Sequence, residues 1–202
     1  MSPEAIWGLA CRTWTVGAAE LGRLHSSIDK DVFVKLVETL GNAKGRIAVC
    51  GVGTSGAAAR KIAHSLSCIE RPAFFLSPAD AVHGGLGLVQ PGDVAILISK
   101  GGGTHEILNL VPSLKAKNVC IIAVTENENS ALARASDLLL RVRIEREADE
   151  FDMLATTSTA TVVAAFDAAC IALMAYTNYT REQFAIIHPS GAVGERLRSA
   201  RQ

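Results

Sequence analysis

Five short apolar runs, each divided from the next by a stretch with helical spacing, are the strongest constraint on how this chain can fold. They are Arg46–Cys50, Ala73–Ser77, Val94–Ser99, Val119–Thr125 and Leu138–Val142. None alternates apolar with polar residues, so each reads as a strand buried on both faces, which is the habit of parallel sheets. Strands alternating with helices mean βαβ units. The fold class expected is therefore α/β: a five-stranded, mostly parallel sheet with helices on both faces, a three-layer flavodoxin- or Rossmann-like arrangement. Residues 1–44 precede it as a helical segment. Residues from Pro3 to about Ile28 carry one helix, with Ile6, Leu9, Trp14, Leu21 and Leu24 on a stripe. A second helix opens at Asp29 or Lys30 and ends near Gly41 and Asn42. A helix is expected from Thr104 to Lys117, and a long apolar one from the Thr156-Thr157-Ser158-Thr159 run to about Tyr176.

Two of the strand ends run into glycine-rich loops: Gly51-Val52-Gly53-Thr54-Ser55-Gly56 and Ser99-Lys100-Gly101-Gly102-Gly103-Thr104. Glycine lets the backbone turn sharply and bring N–H groups close to a ligand. The helix start that follows adds partial positive charge and free donors. Hydroxyls at Thr54, Ser55, Ser99 and Thr104 extend the donor set. Ligands of such sheets bind at the carboxyl ends of the strands, where both loops fall. A small phosphorylated molecule is the ligand class this pattern favours.

Gly51-x-Gly53-x-x-Gly56 formally fits a dinucleotide fingerprint, but that reading wants an acid at the end of the second strand. The strand ends Phe74-Phe75-Leu76-Ser77-Pro78, with no acid before Asp80. The histidines show no metal-ligand spacing, so no metal is expected, and with the dinucleotide context missing no organic cofactor is expected either. Glu106 falls in the first turn of a helix, where the dipole favours a carboxylate, and it is also a candidate for proton transfer. His83 lies in a glycine-rich loop and His188 in a turn before a last helix; both are functional candidates. His25 and His64 lie in helical segments and read as structural. The charged stretch from Arg141 to Asp152 reads as a solvated loop, and the hydroxyl run after it as helix capping.

Lysine plus arginine and aspartate plus glutamate balance at 20 each, which argues against nucleic acid or an anionic membrane as the partner. No targeting segment is visible at the N-terminus, and no uninterrupted apolar run approaches the ~20 residues that span a bilayer. The cysteines, Cys11, Cys50, Cys68, Cys120 and Cys170, are odd in number and scattered, as in a reducing cytoplasm. A single domain over residues 1–202 is expected, with 45–202 as the ligand-binding core and C-terminal helices.

The chain resembles the sugar isomerase (SIS) domain and, within it, the arabinose-5-phosphate isomerase family. The resemblance runs from about Gly45 to Leu197. Its carriers are the first glycine loop, Ala73-Phe74-Phe75 through His83-Gly84-x-Leu86-Gly87, Ile98-Ser99 through Glu106-Ile107, Arg146-Glu147-Ala148 with the Thr-Ser-Thr run, and His188-Pro189-x-Gly191-Ala192-x-Gly194-x-x-Leu197. It implies interconversion of ribulose 5-phosphate and arabinose 5-phosphate, with Glu106, Glu147, His83 and His188 as the proton-transfer groups. It implies Gly53, Thr54, Ser55, Ser99, Lys100, Gly101, Thr104, Thr157, Ser158 and Thr159 as the substrate- and phosphate-binding set. It also implies a homotetramer with sites between subunits. The chain departs from the family where Thr54 replaces a lysine and Gly101 a serine; Lys100 is the candidate to restore the lost charge. It ends at Gln202, without the paired CBS domains often appended. Isomerisation of another phosphosugar, such as a hexulose 6-phosphate, and a non-catalytic phosphosugar-binding module are the alternatives.

Overall fold

The apolar runs pair side by side as β1 (Ile47–Gly51), β2 (Ala73–Phe75), β3 (Val94–Ile98), β4 (Cys120–Thr125) and β5 (Leu138–Arg141), in the order β2-β1-β3-β4-β5. Every pairing is parallel, so the sheet is wholly rather than mostly so. The computed structural model that shows this describes residues 1–191 and 194. The last helix expected after His188 lies outside the described residues, as do Ala192 and Leu197 of the motif around it.

Successive strand residues face opposite sides, and the sequence supplies apolar side chains for both. Ile47, Val49, Val94, Ile96, Ile98, Ile122 and Val124 join one core. Ala48, Cys50, Ala95, Leu97, Ile121 and Ala123 join the other. The first core is covered by α1 (Pro3–Ser27), α2 (Lys30–Asn42), α3 (Gly53–Ser67) and α8 (Thr157–Tyr176). The second is covered by α4 (Pro78–Ala81), α5 (His105–Leu108), α6 (Val111–Ala116) and α7 (Ala131–Ala135). A short α9 (Arg181–Ile187) follows α8.

One expected helix is two. The stretch from Thr104 to Lys117 breaks after Leu108 and restarts at Val111. Pro112 lies in the first turn of the second piece, has no N–H to give to residue 108, and so fits a helix start but not its interior. With 20 residues and a mean hydropathy of 1.7, α8 has the length and composition of a bilayer span, although Asp167 interrupts its apolar run. In this fold it is a core helix packed against α1, α2 and α3. Its charged residue, Asp167, pairs with Lys61 of α3.

All five cysteines are free. Burial pushes the Cys50 thiol up to about 12 and the Cys170 thiol up to about 11, as fits inert core residues. Cys120, at the start of β4, is only partly buried. The outer side of α1 keeps Ile6, Trp7, Trp14 and Leu21 exposed, with the two indoles edge to face at 5.5 Å.

Candidate active site

β1 and β3 are neighbours, and the connections leaving their carboxyl ends go to opposite faces of the sheet, β1 into α3 over the first core and β3 into α5 over the second, so a crevice opens between them. Both glycine loops open into it. In the first, the backbone of Gly51 passes so close to the next turn that a Cβ there would sit 2.5 Å from the Ser55 carbonyl oxygen. Only glycine allows that approach. Gly53 then opens α3, and its N-cap, Val52, has no side chain able to cap. The first-turn N–H groups of α3 are thus left to whatever occupies the crevice.

The second loop is braced from behind. The Ser99 hydroxyl lies 2.7 Å from that of Thr104 and accepts from the Gly102 N–H at 3.1 Å. A Cβ on Gly102 would strike the Ser130 hydroxyl at 2.1 Å, because the loop lies on the start of α7. The Lys100 carbonyl accepts from the Thr125 hydroxyl at 2.7 Å and from the Glu126 N–H at 3.0 Å. These bonds fix the Lys100 backbone and leave its side chain projecting into the crevice.

The pocket between the loops has a volume of about 120 Å³. That is far below the ~300–1,000 Å³ of drug-sized ligand sites and suits a compact polar group. Thr54 and Ser55 line it from the first loop, Lys100 from the second, and Ser158 and Thr159 from the first turn of α8.

Behind Lys100 and Ser158 lies Glu147, whose side chain is 1% exposed. Its Oε2 accepts from the N–H groups of Thr156 and Ser158, each at 3.1 Å. Its Oε1 accepts from the Ser158 hydroxyl and from Lys100 Nζ at 3.3 Å. A buried carboxylate is tenable only with such compensation. Burial is the largest single influence on its proton affinity and favours the neutral acid. The bonds from Ser158 and Thr156 and the Lys100 charge together outweigh it, and hold the carboxyl below its usual 4.5. This corrects the capping expectation for the hydroxyl run. Thr156, the N-cap of α8, makes no side-chain cap bond; a carboxylate from a different segment caps the helix.

The structure sorts the sequence-predicted residues into groups. Thr54, Ser55, Lys100, Ser158 and Thr159 meet in the pocket, with Glu147 buried behind Lys100 and Ser158. Ser99 and Thr104 spend their hydroxyls on each other, and with Gly53 and Gly101 they shape the crevice without lining the pocket. Thr157 is buried and turned away, because consecutive helical residues point about 100° apart and cannot all face one cavity. His83 and Glu106 are exposed, on the turn after α4 and in the first turn of α5, and neither lines the pocket. His188 does not line the pocket. Its ring stacks on Phe184 with centroids 4.0 Å apart, and α9 is tied to Glu70, in the turn that follows α3, by a bond of 3.2 Å from Gln183. His25 and His64, read as structural, are exposed.

Sequence reasoning missed Glu126, which lines the pocket, and Thr125, which anchors Lys100. Both sit at the carboxyl end of β4, next to β3, and that position was the available signal. It also missed Asp152, whose carboxylate accepts the Glu147 N–H, and Asp149, which accepts from Phe151 at 2.9 Å and Leu154 at 2.8 Å. Together they fold the charged stretch, expected to be merely solvated, into a hydrogen-bonded turn that carries Glu147.

A parallel 2-1-3-4-5 sheet with glycine loops at its switch point defines a doubly wound α/β protein. The SIS domain model matches residues 39–172, and the chain belongs to that family. Arabinose 5-phosphate isomerase KpsF of Escherichia coli O6:H1 is 39% identical over 180 residues, which are 89% of this chain and 55% of KpsF. The chain spans about half the length of the curated relatives it matches. A crystal structure of a proposed sugar-phosphate isomerase of Listeria monocytogenes shares 49% identity and a TM-score of 0.93, over 94% of this chain and all 100% of that one. The c3406 protein of E. coli CFT073, solved in complex with A5P, shares 33% identity and a TM-score of 0.89, over 94% of this chain and 100% of that one.

Proposed function

We propose that the protein is an aldose–ketose isomerase of a five-carbon sugar phosphate, interconverting D-ribulose 5-phosphate and D-arabinose 5-phosphate. The observation that carries this reading is the convergence of an uncapped helix start, a lysine and a buried carboxylate on one small pocket. The relatives named above give it its substrate. The reaction moves a proton between C1 and C2 through an enediol and shuttles another between the oxygens. It needs a phosphate clamp for register, a base near the acidic C–H and an acid near the carbonyl. The α3 start, Ser55 and Lys100 form the clamp. Glu147 or Glu106 serves as the base, the first from behind Lys100 and Ser158 and the second from the first turn of α5. His83 and His188 serve the oxygens.

His188 lies outside the pocket of its own chain, so in this reading a partner subunit supplies it, within a homotetramer. Support comes from the exposed apolar side of α1 and from Phe151, Met153 and Leu154, which stand 78%, 82% and 64% exposed on the turn that carries Glu147. A monomer in sedimentation would contradict the assembly. The same reading takes residues 1–202 as one domain, in which 1–44 is the helical segment and 45–202 the core, and places it in the cytoplasm. Five free cysteines fit a reducing compartment.

The test is proton exchange by NMR, with ribulose 5-phosphate in heavy water and purified protein. Deuterium at C1 or C2 together with arabinose 5-phosphate establishes the reaction. Exchange without that product points to a different phosphosugar. Binding without exchange points to a binding module, a reading favoured only by the two candidate groups, His83 and Glu106, that stand exposed and do not line the pocket.

A further inference from the structure

Lys100 is the sole cation lining the pocket among the described residues, and it is already engaged, with its Nζ 3.3 Å from Glu147 Oε1. Glu126 also lines the pocket, and counting the ionised Glu147 behind it the local formal charge is negative. A phosphate dianion therefore meets a site whose positive charge is spent on an internal carboxylate. The Lys100 backbone cannot retreat, since Thr125 and Glu126 hold its carbonyl. Its side chain can turn: it is 42% exposed and carries a flexible four-carbon stem. Glu147 loses little when the lysine leaves, because Ser158 and Thr156 still bind both of its oxygens.

We propose that Lys100 exchanges partners on ligand binding. In the free protein it neutralises Glu147, and on arrival of a sugar phosphate it swings to the phosphate and leaves Glu147 Oε1 with Ser158 alone. Phosphate capture and exposure of the carboxylate to substrate are then one event. A sugar without its phosphate would leave the lysine in place and the carboxylate masked. This rests on the phosphosugar reading of the pocket, and it makes Lys100 a residue that both binds the anion and positions the base.

The exchange is read from a thermodynamic cycle, with inorganic phosphate as the probe titrated calorimetrically at fixed ionic strength. Glu147→Gln keeps an oxygen for the helix but frees the lysine, so phosphate should bind about three- to tenfold tighter than to the parent protein. Lys100→Met should weaken binding by a similar factor. In the Lys100→Met background, Glu147→Gln should lose most of its gain. An equal gain in both backgrounds would mean simple relief of repulsion and would overturn the exchange. So would unchanged affinity in Glu147→Gln. Lys100→Arg should restore most of the affinity, which separates charge from packing, and Lys100→Gln replaces the methionine variant if that one does not fold. Failure of the parent protein to bind either phosphate or a sugar phosphate would remove the phosphosugar reading itself. Parent binding with an additive cycle would remove only the exchange.

Discussion

Two long helices begin at the same pocket, and their first turns are treated in opposite ways. The start of α3 is uncapped by any side chain, because Val52 stands where a serine or aspartate would usually be. The start of α8 is filled by the Glu147 carboxylate, which takes the N–H groups of Thr156 and Ser158. A helix start is an anion site by construction. One of these two holds an internal anion, and the other has no side-chain cap. In the function proposed above, occupancy of the α8 start fixes the wall, and the bare α3 start receives the phosphate.

Glu147→Ala should break the comparison most severely. It strips the α8 start of its acceptor, leaves Ser158 and Lys100 without their partner, and opens a void in a buried wall. Loss of a buried, charge-assisted set of this kind costs about 3 kcal/mol, measurable by chemical denaturation. Glu147→Gln keeps an acceptor oxygen and should cost about 1 kcal/mol. A deficit in the alanine variant no larger than in the glutamine variant would show that Glu147 is not the cap. Gly51→Ala attacks the other helix start. The added Cβ meets the Ser55 carbonyl oxygen at 2.5 Å, so the loop must open, at about 1–3 kcal/mol. Phosphate affinity should fall with it. Retained affinity at reduced stability would mean that the α3 start is not the anion site.

The α8 arrangement also carries a pH signature. The Glu147 carboxyl is held below its usual 4.5 in the folded protein, where burial is outweighed by its hydrogen bonds and Lys100. Its contribution is therefore complete above the unfolded value and lost as pH falls through the depressed folded value. The stability gap between the parent protein and Glu147→Gln should be constant above about pH 5 and narrow progressively below it. A gap that widens on acidification would mean the carboxyl is raised in the folded state.

Much of this was legible in the sequence because it is local. Short continuous apolar runs bounded by turn signals read as buried strands, and glycine loops after β1 and β3 fall at the carboxyl edge of a parallel sheet. Element type therefore followed directly, and even the α8 boundary at the hydroxyl run held. What sequence could not show is pairing across the chain. The bond between Glu147 and the start of α8 joins residues 11 apart through a turn built by Asp149 and Asp152, and neither aspartate has a periodic signature. The Lys100–Glu147 pair spans 47 residues. Thr157, Ser158 and Thr159 were equivalent as letters; only helical geometry put Thr157 in the core and the other two in the pocket. His188 marks a similar limit: its motif singles it out, and the structure places its ring on Phe184, outside the pocket.

The smallest expected effect is also the most discriminating. Val52→Asp would give α3 the cap that α8 already has, a side-chain carboxylate on its own first-turn N–H groups. A good N-cap residue is worth about 0.5–1 kcal/mol, and an acid at a helix start adds a few tenths more through the dipole. The variant should thus be slightly more stable than the parent protein, with the midpoint of thermal unfolding raised by a few degrees. It should also bind phosphate far more weakly, because the external anion now competes with an internal one tethered at the same place. Stability and function would then move in opposite directions at one residue, as expected if the α3 start is left bare for its ligand. Gains in both, or a loss of stability with affinity intact, would show that the two helix starts do not differ in the way their caps imply.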